Sequence, residues 1–137
     1  SGAKAKIDNF YNSNPGVSSR IGNHVDFVDY NVDELEAITK FLINNENRYK
    51  FTDKTVEILR FYIEQLITFP TFSNVRTIKI FLNQLLSYQA IRVEEQLSSQ
   101  GSLKYDDLVT IKPEDFMSFN ANDFINIIGS EDVKLYA

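Results

Sequence analysis

The sequence predicts an all-α protein, a small helical bundle, and three observations carry that prediction. First, residues 72–97 read FSNVRTIKIFLNQLLSYQAIRVEEQL, with apolar side chains at Val75, Ile78, Phe81, Leu82, Leu85, Leu86, Ala90, Val93 and Leu97. That 3/4 spacing, held for about six turns, is the mark of an amphipathic helix long enough to organise a small domain. Second, two shorter runs upstream repeat the pattern, each opened by a capping residue and closed by a breaker. Third, the β-prone piece Val25-Asp26-Phe27-Val28 is too short to build a sheet alone. Its backbone partners would have to lie elsewhere, or in another copy of the chain.

The elements follow in order. Residues 4–24 are rich in Asn, Ser and Gly, and Asn14-Pro15-Gly16 is a turn signal. Asn31 followed by Glu34 at the third helical position is a capping box. The helix it opens carries Leu35, Ile38, Phe41 and Leu42 on one face and stops near residues 44–47, where weak helix formers cluster. Tyr49 and Phe51 then form a linker against the core. Thr52 caps a second helix over 53–68, with Val56, Leu59, Tyr62, Ile63 and Leu66 as its stripe and Pro70 as its stop. Ser73 or Asn74 caps the long helix. Gln100-Gly101-Ser102 breaks the chain. Residues 103–108 are short and irregular or helical, and Thr110-Ile111 is extended. Lys112-Pro113-Glu114-Asp115 is a helix start, with Pro at the first position and acids in the first turn. Residues 122–128 form a last short helix closed by Gly129, and 130–137 read as a tail.

Composition bounds the function. The chain has 137 residues, 43% of them hydrophobic, which fits one domain with a packed core. The formal net charge is -5 and no Lys/Arg run is present, so nucleic acid and anionic membrane are not expected partners. Cysteine is absent, which removes disulfides and thiolate metal sites and fits a reducing, cytoplasmic setting. There is no 18-residue apolar run. Ser1-Gly2-Ala3 reads as a processed end, and 1–6 is set aside as linker.

Chemical motifs are sparse. No GxxxxGK[ST] or GxGxxG loop is present, and no DxDxDG pattern offers a metal site. His24, the one histidine, has no nucleophile beside it and reads as structural. The pairs Asp106-Asp107 and Glu94-Glu95 read as solvated charge. Two arginines stand out. Arg20 follows the Asn-Pro-Gly turn. Arg76 lies in the first turn of the long helix, where the dipole does not favour a cation. It faces an anion there or is an ordinary solvated side chain.

At these residues the sequence resembles a family. Asn14-Pro15-Gly16-Val17-Ser18-Ser19-Arg20-Ile21, then His24-Val25-Asp26-Phe27-Val28-Asp29-Tyr30, then Asp33-Glu34-Leu35, resembles the NPGLxSRI…hIdFpDYs..EL run of AAA+ ATPases. The nearest branch is that of stage V sporulation protein K and the red-type rubisco activase CbbX. Phe72-Ser73-Asn74-Val75-Arg76-Thr77-Ile78-Lys79 resembles its sensor-2 motif, Gln89-Ala90-Ile91-Arg92 its QaxR continuation, and residues 111–116 its closing segment. The likeness spans about residues 7–116.

The resemblance implies a helical lid at 31–118. It is preceded at 7–30 by a short remnant of the α/β ATPase core holding that core's last strand, at residues 25–27, and followed by an extension at 119–137. The strand severed from its sheet is expected to be poorly ordered or to pair with another copy. Arg20 would be the arginine finger, acting in trans on nucleotide bound by a neighbouring subunit of a homo-hexamer. Arg76 would be the sensor-2 arginine, with Asn74 beside it among the nucleotide-binding residues. ATP and Mg belong to the full-length parent, and none is expected in this chain alone, which lacks Walker A and Walker B and should be inactive by itself. The partners implied are the ATPase core of the same polypeptide, neighbouring subunits and a protein to be remodelled. Departures are Ser18 for a second basic residue, Val28 for Pro, Val75 for Ala and Lys79 for Arg. The alternative reading is a stand-alone helical protein-interaction module that seats a partner helix or peptide.

Overall fold

The computed structural model describes residues 29–129. Arg20, His24 and the strand expected at 25–27 lie outside the described residues. Six α-helices and two short strands make up the described part: α1 (Val32–Phe41), β1 (Lys50–Phe51), α2 (Asp53–Leu66), α3 (Val75–Gln100), α4 (Tyr105–Val109), β2 (Thr110–Ile111), α5 (Pro113–Met117) and α6 (Ala121–Ile128). Among them no helix is long and apolar enough to cross a membrane.

The caps explain most of the boundaries. Asn31 and Glu34 form the expected capping box, with the Glu34 N–H donating to Asn31 Oδ1 at 2.8 Å and the Asn31 N–H donating to Glu34 Oε1 at 2.9 Å. Past Phe41 the α-helix widens into a π-helical turn, Leu42–Glu46, closed by the Asn47 N–H on Leu42 O at 3.2 Å. Thr52 and Thr55 cap α2 in the same reciprocal way. That helix ends at Leu66 rather than 68. The residue before Pro70 cannot stay helical, and the last turn tightens, with the Thr68 N–H reaching back three residues to Gln65 O. Gly101, at φ +82, terminates α3 with its N–H on Leu97 O at 2.8 Å. The final helix starts at Ala121, one residue earlier than the sequence suggested, because Asn120 and Asp123 form a further capping box.

Residues 50–51 are more than a linker. They pair in parallel with β2, in the register Lys50 to Thr110 and Phe51 to Ile111. This ties the middle of the chain to the segment after α3.

The core gathers Leu35 and Ile38 from α1, Leu42 and Ile43 from the π-turn, Leu59, Ile63 and Leu66 from α2, and Val75, Ile78, Phe81, Leu82 and Leu85 from α3. Ile111, Phe116, Ile127 and Ile128 close it from the C-terminal side. Tyr62 sits at an aromatic hub, its ring 5.5–6.0 Å from those of Phe81, Phe116, Phe119 and Phe124. Its hydroxyl donates to Phe116 O at 3.1 Å. The long helix therefore packs against α5 and α6 as well as α1, and meets α2 through this hub.

The apolar stripe of α3 ends sooner than its sequence suggests. Ala90 is exposed, Val93 is half-buried and Leu97 keeps 39% of its surface in solvent. Gln89 takes the inward position instead, at 1% exposure. The last ten residues of the helix hold no fully buried side chain.

Candidate functional site

The start of α3 is built tightly. Val75 and Thr77 are buried and fix the helix against the core, while Arg76 between them is exposed. The Arg76 N–H donates to Ser73 O at 3.0 Å, and the Ser73 N–H donates to Thr77 Oγ1 at 2.8 Å. The expected side-chain cap is not made. Asn74 holds the N-cap position, but its backbone lies at φ 46 and ψ -118, far from the extended geometry of a capping residue. Its carboxamide turns inward, and Oδ1 accepts the Tyr30 N–H at 3.2 Å. Asn74 is 5% exposed.

Arg76 makes no ion pair among the described residues, and no acid lies in the first turn of α3. Lys79, three residues on and so on the same side of the helix, is exposed too. The start of the helix thus presents two exposed cationic side chains, Arg76 in the first turn and Lys79 just after it, on a backbone held by several hydrogen bonds. A guanidinium so placed can offer two parallel N–H donors to a phosphate or carboxylate. No group of three or more His, Asp or Glu that could hold a metal occurs among the described residues. The chemistry on offer is anion binding.

A second arginine of α3 is committed elsewhere. Arg92 grips Asp115 with two bonds, Nε to Oδ1 at 2.7 Å and Nη2 to Oδ2 at 3.2 Å. Its Nη2 also donates to Thr110 O at 2.9 Å, and Nη1 to Gln96 Oε1 at 2.9 Å. Gln89 Nε2 donates to Leu108 O at 2.7 Å. Asp115 in turn accepts the Lys112 N–H at 2.9 Å. Gln89 and Arg92 thereby clamp α4, β2 and α5 onto the long helix. The sequence places Gln89 on the face of Leu85, four residues on, but gives no sign of its partners or of the Arg92–Asp115 pair. The contact from Asn74 to Tyr30 had no signal either, since it joins residues 44 apart in the chain.

Two tyrosines carry raised pKa values. For Tyr88 the first cause is its hydrogen bond to Asp123, at 2.5 Å, which favours the protonated phenol. For Tyr62 the cause is burial.

A cleft of about 180 Å³ opens between α1, the π-turn, β1 and α2, lined by residues including Lys40, Tyr49 and Phe51. None of its lining comes from the start of α3. It falls below the roughly 300–1,000 Å³ typical of small-molecule sites.

Comparison with known proteins gives a consistent picture. The AAA lid domain family matches residues 31–124. The chain is 41% identical over 116 residues to a protein CfxQ homolog of Cyanidium caldarium, covering 85% of this chain and 40% of that protein. It is 36% identical over 118 residues to a chloroplastic ribulose bisphosphate carboxylase/oxygenase activase of Cyanidioschyzon merolae, covering 84% and 38%. It is 34% identical over 120 residues to a chloroplastic protein cbbX homolog of Guillardia theta, covering 85% and 32%. The chain spans at most about two fifths of the length of these relatives.

Proposed function

The chain belongs to the AAA lid domain family, and on that premise we propose that it is the sensor-2 lid of an AAA+ ATPase that couples ATP binding and hydrolysis to remodelling of a protein partner. The observation that carries this reading is Arg76, exposed and without an ion pair among the described residues in the rigid first turn of α3. Its guanidinium would meet phosphate oxygens of nucleotide held by the ATPase core of the same polypeptide. Arg20 would supply charge to the nucleotide of the next subunit in a homo-hexamer, stabilising the transferring phosphoryl group. The donor set fits phosphate and not metal, so Mg would be held by the core. ATP would bring the transferring phosphoryl group, and the lid would contribute orientation and charge.

The relatives are of CbbX and activase type, so we favour that side of the branch over the stage V sporulation protein K side. A relative named as an activase of a carboxylase supports a protein assembly as the remodelled partner. A reducing, cytoplasmic compartment is proposed from the absence of cysteine, while the chloroplastic setting belongs to the named relatives. The stand-alone interaction module remains a second reading, favoured by two protruding apolar side chains, Phe61 at 58% and Met117 at 80% exposure.

The test is turnover in the longer ATPase that carries the phosphate loop. Arg76→Ala should remove about 2–4 kcal/mol of transition-state stabilisation, with the melting temperature nearly unchanged. Arg76→Lys should restore little, because an ammonium lacks the planar fork. Unchanged turnover would sink the sensor reading. This chain alone should bind ATP weakly or not at all in calorimetry, because the phosphate loop and metal would come from the core. Micromolar affinity would contradict that.

A further inference from the structure

We infer that Asn74 is a positioning residue for Arg76, acting through the buried bond from the Tyr30 N–H to its side-chain oxygen. The inference rests on Arg76 being the nucleotide sensor, and it gives Asn74 a role without nucleotide contact.

Two observations at Asn74 pull against each other. At φ 46 and ψ -118 its backbone occupies a region that L residues rarely adopt and that glycine enters freely. Judged by the backbone alone, glycine would suit the position better. Strain of this kind persists where the surroundings over-determine it, and it clusters at functional sites. What asparagine has and glycine lacks is the carboxamide, and here its oxygen accepts the Tyr30 N–H at 3.2 Å in a buried setting. The side chain caps nothing on its own helix.

The placement of that bond gives it a consequence. Tyr30 is buried and immediately precedes the Asn31 cap of α1, so it is where the incoming chain meets the lid. Asn74 is two residues from Arg76, inside a turn whose other bonds include those from the Ser73 N–H to Thr77 Oγ1, from the Arg76 N–H to Ser73 O and from the Ile78 N–H to Asn74 O. The incoming segment is therefore hydrogen-bonded to the chain two residues from the sensor arginine. In an ATPase whose core lies before Tyr30, a movement of core against lid would reach the guanidinium through Asn74. Without the carboxamide the turn would keep its backbone bonds and lose this hydrogen bond to the incoming chain. A misplacement of ~1 Å at a transferring group can cost about 100-fold in rate, so a loosened Arg76 should register in turnover before it registers in stability.

Asn74→Gly separates these effects, because it relieves the backbone and deletes only the acceptor. In this chain the relieved backbone and the buried Tyr30 N–H left without its acceptor oppose each other, so the melting temperature should move by only a few degrees. The Tyr30 amide should exchange with solvent about three- to tenfold faster, as expected for one lost hydrogen bond. In the longer ATPase, Asn74→Gly should lower turnover at saturating ATP by about tenfold or more and have no further effect in an Arg76→Ala background. Turnover within about twofold of wild type for Asn74→Gly, beside a clear loss for Arg76→Ala, would overturn this inference and leave the sensor reading standing. Additive losses in the double variant would also overturn it, because Asn74 would then act independently. An inactive effect of Arg76→Ala itself would remove the sensor reading, and this inference with it.

Discussion

Arg92 and Arg76 sit on the same helix and differ in every energetic respect. The Arg92 side chain is 11% exposed and faces a carboxylate with no exposed surface at all. Truncating it would leave Asp115 buried and without its cation, the most expensive way to break such a pair. Arg92→Ala is therefore expected to cost about 3–5 kcal/mol, measured by urea unfolding of this chain. Arg76→Ala, at an exposed site, should stay within about 0.5 kcal/mol. Equal losses of stability in the two variants would mean that the Arg92–Asp115 clamp does not support the fold. Alkaline pH gives a second measurement at this scale. The Tyr88 and Tyr62 phenols have pKa values raised above the ordinary tyrosine range, the first mainly by its bond to Asp123 and the second by burial. A folded value above the unfolded one means the contribution is fully present below pH 10 and is lost as the pH climbs through the raised values. Tyr88→Phe combined with Tyr62→Phe should flatten the decline of the unfolding midpoint above about pH 10. An unaltered decline would assign it to other groups.

Along the helices, local sequence patterns decided where elements begin, and tertiary contacts decided how far they pack. Leu85 and Leu97 belong to the same stripe by spacing, yet Leu85 is fully buried and Leu97 is 39% exposed. Leu85→Ala should cost about 2–5 kcal/mol, whereas Leu97→Ala should stay near 0.5 kcal/mol. Comparable midpoints for the two in chemical denaturation would mean that the C-terminal end of α3 is covered in solution. The caps at Asn31 and Thr52 were legible because each is a short-range exchange of bonds between residues three apart. That Arg76 stands out was legible as a cation where the dipole does not favour one, but the sequence left open whether it faces an anion or solvent. The turn of Asn74 toward Tyr30, the pairing of Lys50–Phe51 with Thr110–Ile111, and the grip of Arg92 on Asp115 were not legible. Each joins residues far apart in the chain, and nothing in the local pattern of either partner names the other.

At the scale of the molecule, the C-terminal helix decides whether the described lid is one cooperative body. By sequence, residues from 119 onward look like an addition to a bundle already closed. In the structure Phe119 stacks on Phe81 with ring centres 5.0 Å apart, and Phe124 lies parallel to Tyr62 at 6.0 Å. Ile127 and Ile128 are 5% and 4% exposed, Asp123 holds the Tyr88 hydroxyl, and Ile128 O accepts the Thr71 hydroxyl just before α3 begins. These contacts fasten both ends of the aromatic hub. At ~1.5–3 kcal/mol for each fully buried aliphatic side chain, the two isoleucines alone contribute about 3–6 kcal/mol. That is a large share of the roughly 5–15 kcal/mol that holds a domain together, before the two rings are counted. A chain ending at Ser118 should therefore keep much of its helical circular dichroism while losing its sharp unfolding transition and binding a hydrophobic dye, because Phe81 and Tyr62 would face water. Phe119→Ala and Phe124→Ala in the intact chain should each lower the midpoint without abolishing the transition, since each removes only part of the hub. A truncated chain that unfolds as sharply as the intact one would mean that α1 to α5 form a complete core and that α6 merely rests on it.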